Sequence, residues 1–371
     1  MISNKIRQFS VFFMLPLGLL IILLAGNKEH LKSLKFDYAT NTATESNKFS
    51  SQKSNEKQKG VHLFGRSDSI DFQFLKDDNI EWVTFVSWAH QDDFDSADLN
   101  HFNGDSVRML KMEARWVHKI KIAHAAGLKV FFKPHVWLTD PSHGNWRSDV
   151  FFTDADDWEM WKENYTRFIL HYAKLAEATH TEMFCVGTEL SRLTVEKPLY
   201  WRELIKQVRQ VYSGELTYAA NWYNEYEKIS FWDDLDYIGI QAYFPLSKKM
   251  EPSTKKLCKG WRKYLPHLES MHKKYNRKIL FTEMGYKSTP DSAIEPWTWL
   301  DGKSADELTC SYETQSNCYE AFFKTIWKMD WFAGVHIWQM RNGDPGRSPK
   351  LEFDFTPLGK PAEKIIAKGF N

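Results

Sequence analysis

Met183-Phe184-Cys185-Val186-Gly187-Thr188-Glu189-Leu190 sets four apolar side chains before a glycine and then, two positions on, a carboxylate. A short apolar run bounded by glycine has the length and composition of a buried strand. The same order returns 94 residues later (189 to 283), in Lys278-Ile279-Leu280-Phe281-Thr282-Glu283-Met284-Gly285-Tyr286. Strand ends are where a parallel α/β barrel exposes its chemistry. Two strands that each finish in Thr-Glu therefore predict a pair of carboxylates facing one site.

The rest of the chain from Gly60 onward has the rhythm such a barrel needs. Strands are expected at Val61–Phe64, Trp82–Ser87, Lys129–Lys133, Met183–Val186, Leu216–Ala219, Tyr237–Ile240, Ile279–Phe281 and Gly334–Ile337. Amphipathic helical stretches alternate with them: Ser106–Ala126, Asp156–Thr179, Trp201–Tyr212, Lys259–Tyr275 and Tyr319–Asp330. Strands separated by helices imply right-handed crossovers and a parallel sheet. Eight such units over residues 60–371 fit a closed (β/α)8 TIM barrel, a single catalytic domain, better than an open sheet. No glycine-rich phosphate loop follows the first strand, which weakens a nucleotide-binding reading.

A barrel gathers functional side chains just after its strands, and the sequence obliges at nearly every position. Trp88, His90 and Gln91 follow the second strand; His135 and Trp137 follow the third; Glu189 follows the fourth. Asn221 and Trp222 come after the fifth, Gln241 and Tyr243 after the sixth, and Glu283 and Tyr286 after the seventh. The eighth is followed by Trp338, Gln339 and Arg341. A rim that served structure alone would not require this alternation of polar and aromatic groups. Between residues 287 and 316 lies a segment long for a strand-to-helix loop. It carries Trp297 and Trp299 and is expected to form a wall or lid of the cleft.

Composition bounds the partners. A formal net charge of +1 argues against a nucleic-acid track. The chain has 16 Trp, 15 Tyr and 26 Phe. Most of these rings belong to the core, but the excess leans towards carbohydrate, which binds on flat aromatic faces. Lys5 and Arg7 precede the apolar run Phe9–Ala25, the pattern of an export signal. Leu23 is large for a cleavage site and the run is close to the lower limit of a membrane span. Residues 1–26 are thus expected to be a signal anchor, with a cleaved signal peptide as the alternative. Residues 27–59 are polar and read as a flexible linker. Export would expose four cysteines to oxidising conditions. Cys185 reads as a buried inert thiol, while Cys310 and Cys318 are spaced to bridge, with Cys258 as a competing partner. No Cys/His spacing suggests a metal.

Glu189 after strand four and Glu283 after strand seven resemble the carboxylate pair of the large clan of retaining (β/α)8 glycoside hydrolases. Within that clan, Phe184-Cys-Val-Gly-Thr-Glu-Leu190, Lys133-Pro-His135, Phe281-Thr-Glu-Met-Gly-Tyr286 and Gly334-Val-His-Ile-Trp338 resemble glycoside hydrolase family 113. The resemblance spans roughly Gly60 to Gly346 and rests on four short motifs in the right order. It implies an endo-β-1,4-mannanase in which Glu189 is the general acid/base and Glu283 the nucleophile. Tyr243 would donate a hydrogen bond to that nucleophile, and Trp338 would be the platform beneath the sugar. One departure stands out: much of the clan has Asn immediately before the acid/base, and here that residue is Thr188. Asn221 is the candidate to supply the missing contact to the sugar 2-hydroxyl.

The substrate-binding set expected on this reading is Trp88, Gln91, His135, Trp137, Asn221, Trp222, Tyr286 and Trp338. Two carboxylates suffice for acid/base work and a covalent intermediate, so no metal or organic cofactor is implied. The expected partners are a β-linked polysaccharide and, through the N-terminal segment, a membrane, with the body a monomer. Two other readings stay open: the same mechanism on a β-glucan, and an inactive barrel that only binds glycan.

Overall fold

The computed structural model describes residues 56–65, 70–100, 106–300, 302–341 and 350–371. The expected signal segment and most of the linker lie outside these residues. Among the described residues, no helix is long and apolar enough to cross a membrane.

Eight parallel strands close on themselves: β1 (Gln58–Phe64), β2 (Trp82–Gln91), β3 (Lys129–Leu138), β4 (Met183–Thr188), β5 (Glu215–Asn221), β6 (Tyr237–Gln241), β7 (Lys278–Met284) and β8 (Phe332–Arg341). Each pairs with the next, and β1 pairs with both β2 and β8, which completes the ring. This is a (β/α)8 barrel. Gln58 and Lys59, which composition places in the linker, are the first residues of β1.

Alternation along a strand sorts side chains into two layers. Phe131 belongs to a cluster inside the barrel with Trp82, Met183, Cys185, Ala219, Leu280 and Ala333. Its neighbour Phe132 faces outward and packs among the helix residues, stacked on Phe184 and tilted against Tyr172. Counting by twos from Phe131 brings Lys133, His135 and Trp137 to the inner face, in order from the bottom to the mouth. Cys185 is fully buried and its thiol donates to Gly187 O at 3.0 Å; burial pushes its pKa up.

Several elements run longer than their apolar cores suggest. β2 continues to Gln91 and β3 to Leu138, because ten consecutive residues of each stay paired in register, Trp82↔Lys129 through Gln91↔Leu138. Trp88, Gln91, His135 and Trp137 are therefore strand residues, not loop residues. The expected helix Lys259–Tyr275 is two helices, Thr254–Arg262 and Leu265–Tyr275, the second starting with Pro266 in its first turn. Helix Tyr312–Lys324 begins seven residues before the expected Tyr319, capped by the Ser311 hydroxyl on Thr314 N. Its early start places Cys318 on the buried helix face, while Cys310 lies outside the helix. All four cysteines are free, so the expected Cys310–Cys318 bridge is not formed. A helix not foreseen, Pro361–Phe370, ends the chain and packs Phe370 against Phe323 and Trp327.

Gly239 shows how tight the sheet is. A Cβ there would lie 2.2 Å from the Tyr218 carbonyl oxygen and 2.5 Å from Thr217 Oγ1. The backbone of β5 cannot yield without disturbing the register Ala219↔Gly239. Gly239→Ala is expected to lower stability by about 1–3 kcal/mol, read as a lower urea midpoint at unchanged slope. An unchanged midpoint would show that the neighbouring strands relax freely.

Candidate active site

The two carboxylates stand at strand ends where the regular register breaks. The β4–β5 register shifts between Cys185 and Thr188, and the β6–β7 register shifts between Ile240 and Gln241, opposite Glu283. Bulges of this kind re-aim side chains beside functional sites. Glu189 has a φ of 55°, a left-handed conformation uncommon for a residue with a Cβ. Its amide is held by the Ala219 carbonyl at 2.9 Å.

Glu283 sits in a nest of donors. Tyr243 donates its hydroxyl to Oε1. Oε2 accepts from Lys133 Nζ and from Gln241 Nε2, both at 2.8 Å. Lys133 also donates to Gln241 Oε1 at 2.8 Å, which fixes the orientation of that amide. Both Lys133 and Glu283 are buried. Burial, then the Glu283 charge, pushes the Tyr243 hydroxyl well above its ordinary value, so it stays a proton donor. Three donors on two oxygens orient the carboxylate and leave it only its role as acceptor.

Glu189 has different company. Its Oε2 accepts from Trp146 Nε1 at 2.9 Å, and Arg147 Nε lies 3.8 Å away. Burial pulls the Arg147 guanidinium below its ordinary value, while Glu189 and Glu283 both oppose that shift. One buried cation thus feels both carboxylates. Arg147 Nη1 also donates to His135 Nδ1 at 2.8 Å. Because a guanidinium can only donate, His135 Nδ1 accepts and the proton sits on Nε2. Burial, then Lys133 and Arg147, holds His135 well below its ordinary pKa and so neutral. Among the described residues, the Nε2–H finds no protein partner. It is a buried donor free to meet a ligand hydroxyl.

Aromatic rings wall both sides. Beside Glu189, Trp88 meets Trp137 at 5.5 Å and Trp137 meets Trp146 at 5.7 Å, both edge to face. Beside Glu283, Trp338 packs against His62 at 5.1 Å and Phe64 at 4.9 Å. Residues 287–316 supply the remaining wall: Trp297 stacks on Trp222 at 5.3 Å, and Trp299 meets Trp338 at 5.9 Å. Trp137, Trp146, Trp297 and Trp299 are 37–47% exposed, unusual for rings of that size and suited to receiving a flat ligand.

Of the residues expected to bind substrate, Trp88, His135, Trp137, Trp222 and Trp338 converge here. Three do not. Gln91 is fully buried, accepts from Trp161 Nε1 at 2.9 Å and donates to Asp93 O, so it braces a loop. Asn221 spends its amide on Ser191 Oγ at 2.9 Å. Tyr286 is fully buried against Tyr319 in the outer core. The Thr188 hydroxyl is likewise turned away, onto Pro134 O at 3.4 Å. Arg341 pairs with Asp354 at 3.6 Å. Conversely, Lys133, Trp146, Arg147 and Gln241 stand against the carboxylates although the expected set omits them. Inward alternation from Phe131 would have found Lys133; nothing in the local sequence marks Trp146 and Arg147, which arrive on a loop after β3. Among the described residues, no group of three His, Cys, Asp or Glu side chains could hold a metal ion.

The family model for Glycoside Hydrolase Family 113 matches residues 57–360. A solved GH113 β-1,4-mannanase complex is 28% identical, with a TM-score of 0.71 over 85% of this chain and 99% of that one. The GH113 β-mannanase from Alicyclobacillus acidocaldarius, solved in complex with ManMIm, is 25% identical. Its TM-score is 0.69 over 85% of this chain and 97% of that chain. A Ruminococcus gnavus β-glucuronidase, at 12% identity and a TM-score of 0.56, shares the fold over 50% of its length. Curated proteins give no match. The chain belongs to glycoside hydrolase family 113.

Proposed function

We propose that this glycosidase cleaves β-1,4-mannosidic bonds in mannan or glucomannan, within the chain, by double displacement. The observation that carries the reading is the contrast between the two carboxylates. Glu283, gripped by Tyr243, Gln241 and Lys133, is presented as an oriented acceptor, the state a nucleophile requires. Among the described residues, Glu189 meets Trp146 Nε1 and the more distant Arg147, fewer donors than grip Glu283, as suits an acid/base. In the first step Glu283 attacks the anomeric carbon while Glu189 gives its proton to the departing glycosidic oxygen. In the second, Glu189 takes a proton from water, which displaces Glu283 from the glycosyl-enzyme. Walls of tryptophan on both sides of the acids suit a polymer that passes through. The named substrates of the two similar GH113 structures favour mannan over β-glucan.

Reducing-sugar release on linear mannan, glucomannan, β-glucan and xylan tests the substrate, and NMR of the first-formed anomer tests the stereochemistry. Activity on the mannans with β-anomer formed first is expected. An initial α-anomer would mean single displacement and sink the roles given to both acids. Glu189→Ala should lower kcat/KM on mannan by about 10²–10⁴-fold and largely spare a substrate whose leaving group needs no proton, such as a 2,4-dinitrophenyl glycoside. Equal loss on both substrates would remove Glu189 from the acid role.

A further inference from the structure

We propose that Glu225 is a positioning residue for Glu189, a buried carboxylate that ties the loop after β4 to the loop after β5 and holds the acid/base in its left-handed kink. The inference rests on the reading of Glu189 as the acid/base.

Glu225 is fully buried and, among the described residues, accepts four hydrogen bonds, none from a cation. Oε2 takes the Asn221 amide N–H at 2.6 Å and the Ser191 hydroxyl at 2.9 Å. Oε1 takes the Tyr218 hydroxyl at 2.8 Å and the Thr194 hydroxyl at 3.0 Å. Ser191 and Thr194 belong to the short helix Ser191–Glu196 that follows Glu189, while Tyr218 and Asn221 belong to β5. A carboxylate taken out of water without a counter-charge is costly unless its oxygens are filled, and here four donors fill them.

The chain of bonds ends beside the acid. The Tyr218 hydroxyl donates its one hydrogen to Glu225 Oε1. The oxygen's lone pair is then turned to the Leu190 N–H, which donates to it at 2.7 Å. The preceding N–H, that of Glu189 itself, is held by Ala219 O at 2.9 Å. Two successive amides around the strained Glu189 backbone are therefore fastened to β5, and Glu225 orients the hydroxyl that holds one of them. Without that tie the kink can relax towards ordinary backbone angles and swing the carboxyl away from the glycosidic oxygen.

A misplaced acid has a signature that general damage lacks. Glu225→Gln and Tyr218→Phe are to be assayed for kcat/KM on mannan and on 2,4-dinitrophenyl β-mannobioside, beside wild type and Glu189→Ala. The parameter kcat/KM reports formation of the glycosyl-enzyme, so the dinitrophenolate leaves without needing Glu189. Each variant is expected to lose about 10²-fold on mannan and less than about 3-fold on the dinitrophenyl substrate. Equal loss on both substrates, or no loss on either, overturns the inference while Glu189→Ala still shows the selective loss. A Glu189→Ala enzyme that loses both equally overturns the acid/base reading and this inference with it. If Glu225→Gln yields no folded protein, Tyr218→Phe, which keeps the packed ring, decides alone.

Discussion

Glu283→Ala is expected to lower kcat on mannan by on the order of 10⁵-fold while leaving the barrel folded, because removing a nucleophile removes the only covalent route. The truncation opens a space lined by the donors that held the carboxylate: Tyr243, Gln241 and Lys133. A small anion such as azide fits the chemistry of that space. It would attack the anomeric carbon from the face Glu283 used, with Glu189 still supplying the proton, and the product would be an α-configured glycosyl azide. Recovery of turnover on an activated substrate with that product, followed by NMR, checks the role directly. A variant that kept wild-type activity, or azide recovery with a β-configured product, would refute the assignment.

The second large effect is expected at Lys133. Its ammonium is wholly buried, 2.8 Å from Glu283 Oε2 and 3.4 Å from His62 Nε2. His62 is itself held well below its ordinary pKa by burial and by Lys133, so it brings no second positive charge. Lys133→Met keeps most of the side-chain volume but leaves the Glu283 carboxylate buried without its cation. Breaking a buried pair from one side typically costs about 3–5 kcal/mol. The same change should lower kcat by about 10²–10³-fold, since a preorganised charge beside the nucleophile is lost. Urea denaturation of Lys133→Met, of Glu283→Gln and of the double variant measures the coupling. The double variant should recover much of the stability, because neither charge is then stranded. Additive losses would show that Lys133 stabilises the barrel through packing alone.

Both effects concern one buried ion pair, Lys133 on β3 with Glu283 on β7, and the β3 half of it was only partly legible in sequence. Lys133-Pro134-His135 stood out, and His135 lies on the inner face, where among the described residues its Nε2–H has no protein partner. Lys133 was passed over because a lysine in an apolar strand has no local mark that distinguishes a buried charge from a snorkelling one. The acid on β7 that receives it lies 150 residues away in sequence. Trp146 and Arg147 were missed for the same reason, their partner Glu189 being reached through a loop with no periodicity. The expectations at Gln91, Asn221 and Tyr286, whose side chains lie buried within the protein, share a cause as well. Position after a strand predicts nearness to the mouth, but a polar side chain there can equally brace a loop or turn into the helix layer.

What the sequence determined by itself was the alternation of apolar strands with amphipathic helices and the placing of Thr-Glu at the ends of the fourth and seventh strands. Those follow from local burial and from strand periodicity, which act over a few residues. Only the tertiary structure decided which donors meet which carboxylate, because hydrogen bonds are directional and act across strands that the chain brings together from far apart. It also left Cys310 and Cys318 unbridged and set Glu189 in a left-handed kink held by β5. The barrel was thus written in the pattern of side chains, and the division of labour between its two acids in the closing of the ring.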